Sequence, residues 1–494
     1  MGYKRGTNRD QMTMTPMTPD DYVDDENPCR VIDAFVDKLN LAEMGFKYAV
    51  TSSTGCRPYA PGDMLKLYIY GYMNRIRSSR RLEAETKRNM EVIWLLNGLV
   101  PDDKTICNFR TDNRKELKEV FRMFNKLCIS IGLFGRETVS IDGTKIKANN
   151  SRRHRFSKKD AEEQLSKLEK RITEFLNDLE RGDQLEAGEE RIDQAAVASA
   201  LEKLKDRKTE IEDIIAKIED NGGEPICTVD KDAALMKQSG GKGYDVCYNI
   251  QAAVDEENGL IAHFEVTNRA NDISELSGMV RGTKEALGVE NINVLADTGY
   301  SNGKEIASCA EAEDTCYIPK PKPSHQPEDK RYHRDQFVYD ADNNTYTCPE
   351  GHVMTYKRTR ERDGNMVYAN RAACMGCPAK ALCTKSATLR EIERNPYQSE
   401  VEWADANAKA NKGLYHRRME LSEHPFGVVK RVWGFSQYLC RGTERVEGET
   451  SLMFLAFNFR RALNILGVKK LIDTITMPAV LSQYVEKELN MAVA

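Results

Sequence analysis

The chain has 494 residues, of which 40% are hydrophobic and 30% are charged, which is enough for several folded domains and excludes a disordered protein. The 73 Lys and Arg against 77 Asp and Glu give a net charge of -4, so no globally positive field is available for nucleic-acid binding. No run approaches the roughly 18 apolar residues that a membrane span needs, and the N-terminus lacks an apolar signal core, so we predict a cytosolic protein without membrane contact.

The N-terminal third of the chain has two parts. Residues 1–27 are polar and acidic, and we expect a disordered tail. Residues 28–135 show helical periodicity, with Val31, Phe35 and Leu39 on one face, and predict an all-helical domain. Its basic segment 74–88 fits either a DNA-facing helix or a solvated face that is balanced by acidic residues of the same segment.

Strand and helix patterns then alternate, which predicts a mixed α/β domain built from residues 136–321 and 400–467. An insertion at 157–220 carries apolar residues at steps of three and four in two segments, and it predicts an antiparallel helical hairpin. Residues 244–254 and 260–267 predict a β-hairpin around an Asn-Gly turn. We expect residues 468–494 to form a C-terminal tail.

A cysteine-rich insertion occupies residues 322–399. Its four clustered cysteines are Cys348, Cys374, Cys377 and Cys383. One C-x2-C pair among four thiols, within short Pro- and Gly-containing turns, is typical of a structural zinc site. His352 could replace one thiolate, and unpaired thiols in a surface loop are the alternative.

Three acidic residues lie in three local settings. Asp142 follows an alternating strand pattern, Asp297 follows an apolar run, and Glu423 opens a helical pattern in which Ser422 is an ordinary N-cap and Pro425 is tolerated early. Three carboxylates that folding brings together can hold two divalent cations roughly 4 Å apart, an arrangement that drives in-line attack on phosphodiesters. Each residue alone has a simpler explanation, because Asp142-Gly143 is a common hairpin turn and Asp297 suits a strand-end turn.

Taken together, these segments resemble the DDE transposases of bacterial insertion sequences. The Asp142-Gly-Thr segment is similar to the first-aspartate strand of that family, and residues 296–300 are similar to its Asp-x-Gly-Tyr motif. The family's Y-x2-R…E-x6-K signature is similar to a set formed by Tyr415, Arg418, Glu423 and Lys430. The Glu-to-Lys spacing agrees, whereas four residues rather than the commonest three separate Arg418 from the glutamate. Glu420 competes for the third position but lacks the downstream lysine spacing.

The resemblance extends to the helical domain, the cysteine insertion and the segment 451–463, but not to the helical hairpin. It implies an α/β fold with a ribonuclease-H-like mixed sheet, to which the N-terminal helical domain, the hairpin and a small zinc-binding insertion are added. It also implies a DNA transposase that binds double-stranded transposon ends and target DNA near the nucleoid, and that acts as a homodimer on DNA.

The resemblance assigns roles to the site residues. Asp142 would bridge two Mg²⁺ ions, with Mn²⁺ as a substitute, and Asp297 and Glu423 would each complete one coordination sphere. Lys430 would contact a phosphate beside the cleaved bond, although an exposed helix-end cation is the alternative for it. Tyr415 and Arg418 would clamp the transposon end.

Two rival functions stay open. One is a ribonuclease-H-like nuclease that cuts DNA without joining it, and the other is an inactive zinc-containing protein that binds DNA.

Overall fold

The computed structural model describes residues 18–50, 57–151, 154–184, 194–220, 222–238, 243–321 and 332–477. The helices are α1 (Pro28–Asp37), α2 (Pro61–Met73), α3 (Ser79–Arg88), α4 (Met90–Leu95), α5 (Asp103–Asp112), α6 (Glu116–Ser130), α7 (Lys158–Gln184), α8 (Gln194–Asp220), α9 (Leu276–Leu287), α10 (Gly303–Glu311), α11 (Arg371–Met375), α12 (Lys380–Cys383), α13 (Gln398–Ala410), α14 (Lys412–Gly427), α15 (Thr443–Leu466) and α16 (Val468–Thr476). The strands are β1 (Thr138–Lys147), β2 (Arg155–Phe156), β3 (Ile226–Cys227), β4 (Ala234–Lys237), β5 (Tyr244–Asp255), β6 (Ile261–Thr267), β7 (Asn293–Leu295), β8 (Thr315–Tyr317), β9 (Val338–Asp340), β10 (Thr345–Thr347), β11 (Val353–Thr359), β12 (Met366–Ala369) and β13 (Glu391–Arg394).

The N-terminal region is helical, from α1 to α6. Proline occupies the first position of α1 and α2, where its missing N–H leaves no helical hydrogen bond unmade. The side chain of Asn27 caps α1 by accepting from the backbone N–H of Cys29 at 2.9 Å. Almost every residue of α2 is buried, because this helix lies between other helices of the region and α15.

Both predicted tails include ordered residues. Within the predicted N-terminal tail, residues 18–27 pack against the helices: Val23 is buried, and Asp20 accepts a hydrogen bond from Trp94 Nε1 at 2.8 Å. Residues 468–476 form α16, whose Leu471 and Ile475 are buried. Apolar side chains in both segments are therefore buried against the rest of the protein. Residues 1–17 and 478–494 lie outside the described residues.

A mixed sheet forms the centre of the molecule. Among the described residues it has six strands, five of them in the order β4-β5-β1-β7-β8, and β6 also pairs with β5. Strand β1 pairs antiparallel with β5 from Val139 opposite Asp255 to Lys147 opposite Cys247. It also pairs parallel with β7, and β7 pairs parallel with β8. This confirms a mixed α/β architecture preceded by a helical region.

Helix α15 joins the helical region to the sheet. Its buried face lies against α2, α6 and β6. There the buried Asn458 accepts from the backbone N–H of Ile261 at 2.9 Å and donates to Asn125 at 2.8 Å. The two regions therefore share one hydrophobic core rather than two separate ones.

Helices α7 and α8 form an antiparallel hairpin outside the shared core. The hairpin has its own cluster around Phe156, Ala161, Ile211, Ile214 and Ile218, and the short β2–β3 pair closes its base. Its seam matches the predicted periodicity, although the side chain of Leu179 lies outside the described residues. No helix among the described residues combines the length and apolar character needed to cross a membrane.

The cysteine-rich segment contains a second sheet, which is antiparallel throughout in the order β13-β12-β11-β10-β9. A small core of aromatic and aliphatic side chains lies on this sheet, around Phe337, Tyr346, Met354, Tyr368 and Ile392. Cys348 and Cys383 pack at its border.

Candidate active site

Asp142 lies within the central strand β1, not in a turn. Strand pairing continues past Asp142, which is opposite Ala252, as far as Lys147, so the hairpin-turn interpretation of Asp142-Gly143 is wrong. The side chain is 24% exposed, and its Oδ1 accepts from the N–H of Gly143 at 2.8 Å. Burial and the nearby charge of Asp297 raise the pKa of Asp142 to about 6, against hydrogen bonds from Gly143 and Ser422 and the charge of Arg418.

Asp297 follows β7, the parallel neighbour of β1. Because Ser140 pairs with Leu295, Asp142 and Asp297 each lie two residues beyond the same point of the ladder, at one edge of the sheet. The Asp297 carboxylate accepts from the N–H of Gly299 at 2.7 Å and caps the one-turn 3-10 helix Thr298–Tyr300. Asp297 is therefore a strand-end cap and also a charged neighbour of Asp142.

Helix α14 packs over β1 and brings three polar side chains to Asp142. Arg418 Nη1 lies 3.8 Å from Asp142 Oδ2, and the guanidinium lies 5.8 Å from the ring centre of Tyr415. Ser422, one turn further along, lies near Asp142 and donates its hydroxyl to the backbone oxygen of Arg418 at 2.9 Å. The buried Arg418 Nε has no hydrogen-bond partner among the described residues.

Glu423 lies near the end of α14, not at a helix start. The helix begins at Lys412, so Ser422 is not an N-cap, and the Ser-Glu-His-Pro segment only resembles a beginning. Pro425 is accommodated near the end of the helix, which then widens into a π-helical turn at Val428–Val432. Glu423 is exposed and has no hydrogen-bond or ion-pair partner among the described residues.

Lys430 lies in that π-helical turn and reaches back to β1. Its Nζ donates to Thr144 Oγ1 at 3.0 Å and to the backbone oxygen of Lys145 at 2.7 Å. Since the side chain is half-buried against β1, the exposed-cation alternative does not describe it.

The fit of a divalent cation depends on Asp142 and Asp297. Two neighbouring carboxylates with oxygen ligands free for coordination are the donor set that Mg²⁺ prefers, and their mutual repulsion favours a cation between them. In the described part of the chain, however, no three His, Cys, Asp or Glu side chains are grouped to hold a metal ion. The structure thus brings two of the three predicted acids together and leaves Glu423 apart.

The four predicted zinc ligands line one cavity, together with His352. None of the described cysteines forms a disulfide. The thiols of Cys374, Cys348 and Cys377 are close enough to add to burial in raising the pKa of Cys383, against the charge of Arg390. The backbone N–H of His352 lies 3.4 Å from Cys348 Sγ. The four thiols line a common cavity, but in the described part of the chain they are not grouped closely enough to hold a metal ion.

Sequence reasoning missed Asp272, in the loop before α9. Its Oδ1 accepts from Asn249 Nδ2 at 2.7 Å and from Gln251 Nε2 at 2.5 Å. The buried Gln251 in turn accepts from the hydroxyl of Tyr300. Asn249 and Gln251, two positions apart in the buried middle of β5, were the available signal, because buried polar side chains need partners.

The basic segment 74–88 is largely paired within the molecule. Lys87 and Arg88 bond to Glu83 and Glu85, and Arg77 lies against the buried Glu449. Arg80 is 87% exposed and bridges to Asp103 at 3.3 Å. Lys87 and Arg88 thus pair as the balanced-face alternative describes, whereas Arg77 and Arg80 pair with acids outside the segment.

Comparisons with known proteins point to one class. Residues 17–112 match a family model described as a transposase domain (DUF772), and residues 347–463 match a transposase DDE domain. Glu423 and the four cysteines lie in the second match, whereas Asp142 and Asp297 lie outside both.

No curated protein sequence matches the chain. A solved structure, a piggyBac transposase synaptic complex with hairpin DNA, aligns with 94% of this chain and 82% of that chain at 9% identity. Its TM-score of 0.31 is too low for any inference about fold or function.

Proposed function

Because two family matches support a DDE-type transposase, we propose that Asp142, Asp297 and Glu423 are the catalytic acids of this chain and that it cleaves and joins DNA. The observation that carries this proposal is the proximity of Asp142 and Asp297 at one edge of the sheet. Helix α14, which also carries Glu423, packs over this edge. The mixed sheet with helices on it supports a ribonuclease-H-like core. The proposed setting is the cytoplasm of a bacterium, in an insertion sequence.

Helix geometry favours Glu423 over Glu420 as the third acid. Ser422 faces Asp142, and Lys430 faces Thr144 on the same strand. Glu423 is one position from Ser422, about 100° around the helix, whereas Glu420 is two positions away, about 200° around it. A change of side-chain rotamer can therefore turn Glu423 towards Asp142, while Glu420 points to the opposite side of α14.

In this mechanism, Asp142, Asp297 and Glu423 would hold two Mg²⁺ or Mn²⁺ ions. The bound cations would supply an activated water or 3′-hydroxyl and stabilise the departing oxygen. The chain's own residues orient the site: Arg418 lies beside Asp142, and Lys430 bonds to Thr144 on the same strand. The Arg418 and Lys430 side chains would contact backbone phosphates of bound DNA. The ring of Tyr415 lies 5.8 Å from the Arg418 guanidinium and would help to hold it.

The test is cleavage of labelled DNA that carries the native flanks of the coding region. Asp142→Asn, Asp297→Asn and Glu423→Gln should each reduce cleavage by at least about 1000-fold while DNA binding survives, because each removes a charged metal ligand. Glu420→Gln, on the same helix, is the matched control and should cleave normally. If Glu423→Gln cleaves normally and Glu420→Gln does not, Glu420 and not Glu423 is the third acid. Normal cleavage by either aspartate variant would exclude that aspartate from the site.

We also propose that Cys348, Cys374, Cys377 and Cys383 bind a structural zinc ion. This site is supported by the common cavity, by the effect of the three other thiols on the pKa of Cys383, and by the N–H of His352 directed at Cys348 Sγ. A tetrahedral thiolate site would fix turns that otherwise have only a small core beneath them. His352 would then contribute its backbone rather than its imidazole.

Double-stranded DNA is the proposed partner, as transposon end and as target. Joining two ends in one event requires two active sites, so we propose a homodimer on DNA.

A further inference from the structure

A buried polar network lies beneath the paired aspartates, on the other face of the sheet. Side chains alternate between faces along a strand, so Gly143 and its partner Gln251 face away from Asp142. Asn249 and Gln251 point into the same space and both donate to Oδ1 of Asp272. The network is therefore separate from the face that α14 covers.

Gly143 leaves room for this network. A Cβ at this position would lie 2.6 Å from Nε2 of Gln251 and 2.7 Å from Oδ1 of Asp272. The Asp272 carboxylate thus occupies the space of the missing side chain, directly after the first catalytic aspartate. The glycine in the Asp-Gly pair is required by packing, because it lies in a continuous strand and not in a turn.

The same network reaches the second aspartate. Tyr300, at the end of the 3-10 turn that Asp297 caps, donates its hydroxyl to Oε1 of Gln251. A Cβ on Gly299 would lie 2.8 Å from Oδ1 of Asp297 and 3.9 Å from Oδ2 of Asp272. Both carboxylates therefore border the same glycine.

We propose that Asp272 is a positioning residue of the active site, which holds the Asp297 turn against β1 through Gln251 and Tyr300. This inference rests on the proposed function of the site. Gln251 is fully buried, so both ends of its amide need partners. Since its oxygen accepts from Tyr300, its nitrogen must donate, and the Asp272 carboxylate is the acceptor that fixes this orientation.

The consequence concerns cation affinity. Residues that orient metal ligands from behind typically change metal affinity or activity by about 10–100-fold when they are replaced. Removal of the Asp272 carboxylate would release Gln251 and Tyr300 and let the Asp297 turn move relative to Asp142. Cation binding should weaken even though Asp272 itself binds no cation.

The experiment compares Asp272→Ala with Asp272→Asn in the full-length protein. Mn²⁺ affinity is measured without DNA from the electron paramagnetic resonance signal of free Mn²⁺, and DNA cleavage and thermal unfolding are measured beside it. Asp272→Ala should bind Mn²⁺ at least about 10-fold more weakly. Asp272→Asn keeps an oxygen that accepts from Asn249 and Gln251, so it should stay within about threefold of wild type.

Two further variants keep the test decisive. Tyr300→Phe removes only the hydroxyl bonded to Gln251 and should weaken Mn²⁺ binding in the same direction, whether or not Asp272→Ala folds. Glu275→Gln is the matched control, because Glu275 lies three residues away and bonds instead to Thr267 and Arg269.

Wild-type affinity in Asp272→Ala, or in Tyr300→Phe if the alanine variant fails to fold, would overturn the inference. Equal loss in Asp272→Asn and Asp272→Ala would also overturn it, because the carboxylate charge itself would then bind the cation. A wild-type protein that binds no Mn²⁺ and cleaves no DNA would instead overturn the proposed function, and the inference with it.

Discussion

At the scale of single residues, Asp142 combines partial burial with a charged neighbour. Its pKa of about 6 lies above the usual 3.8, so the folded protein binds this proton more tightly than the unfolded chain does. The stability that this contributes is complete below about pH 4 and is lost as the pH rises through about 6. At neutral pH the ionised carboxylate therefore opposes folding in the absence of a cation.

Asp142→Asn should consequently stabilise the cation-free protein at pH 8. The shift corresponds to at most about 3 kcal/mol in the free energy of unfolding, and the gain should shrink as the pH falls from 6 towards 4. Chemical denaturation at pH 8 and pH 5 measures it, with Glu420→Gln as the exposed control. Added Mg²⁺ should stabilise the wild type but not the variant. A variant that is no more stable than wild type at pH 8 would refute this account of Asp142.

The predictability of the site also differs from residue to residue. The proximity of Asp142 and Asp297 could be predicted, because Asp142 lies within one recognisable strand pattern and Asp297 follows another, and the parallel pairing of β1 with β7 brings them to one edge. The contacts of Asp272 could not be predicted. Its loop position is typical of a turn, and its hydrogen bond with Gln251 beside Gly143 depends on the pairing of β5 with β1. The position of Glu423 within α14 was also missed, because a local Ser-Glu-His-Pro segment has the features of a helix start.

At the scale of elements, the buried Glu449 of α15 joins two regions of the chain. It is fully buried, accepts from Arg77 Nη1 at 3.1 Å, and accepts from the backbone N–H groups of Leu439 and Cys440 at 3.0 and 3.1 Å. Arg77 also lies over the ring of Phe435, 4.4 Å from its centre. The loop after α14 is thus fixed to the N-terminal helices through one ion pair.

Arg77→Ala should destabilise the protein by about 3–5 kcal/mol, because it leaves the Glu449 carboxylate buried and without its cation. Arg80→Ala is the matched control in the same basic segment, and it should have little effect because Arg80 is 87% exposed. Denaturant unfolding of both variants provides the comparison. Equal stability of Arg77→Ala and Arg80→Ala would show that this ion pair does not join the two regions.

The cysteine-rich sheet provides a second test at this scale. Cys377→Ser should abolish bound zinc and lower the unfolding temperature of the segment, because zinc coordination supplies folding free energy to a small core. Cys107→Ser, in α5 and outside the segment, should retain the metal. Elemental analysis of the purified variants measures both. Zinc content unchanged in Cys377→Ser, or absent from the wild type, would exclude the proposed site.

At the scale of the whole molecule, the sequence patterns predict the order of the regions along the chain but not the hydrophobic core that these regions share. A helical N-terminal region precedes a mixed α/β sheet, as the periodicities predict, since those patterns are local. The common core of α2, α6 and α15 with the sheet was not foreseen, because contacts between residues hundreds of positions apart leave no local pattern. The ordered residues 18–27 and 468–476 were missed for the same reason.

This shared core has a consequence for function. Helix α14, which carries Glu423, is followed by the loop that Glu449 fixes, and α15 then packs on the N-terminal helices. The position of Glu423 is therefore coupled to the region that matches the N-terminal transposase domain. We expect cleavage to require the N-terminal region even where its residues do not contact DNA.

The central claim is that one site both cuts and joins DNA. Its most direct test incubates the full-length protein with Mg²⁺, DNA bearing the native flanks and a supercoiled target, for wild type beside Asp142→Asn. The account predicts joined products with wild type and none with the variant, while both proteins bind the flanking DNA. Cleavage without joining by the wild type would contradict it in favour of a nuclease, and binding without cleavage would contradict it in favour of an inactive DNA-binding protein.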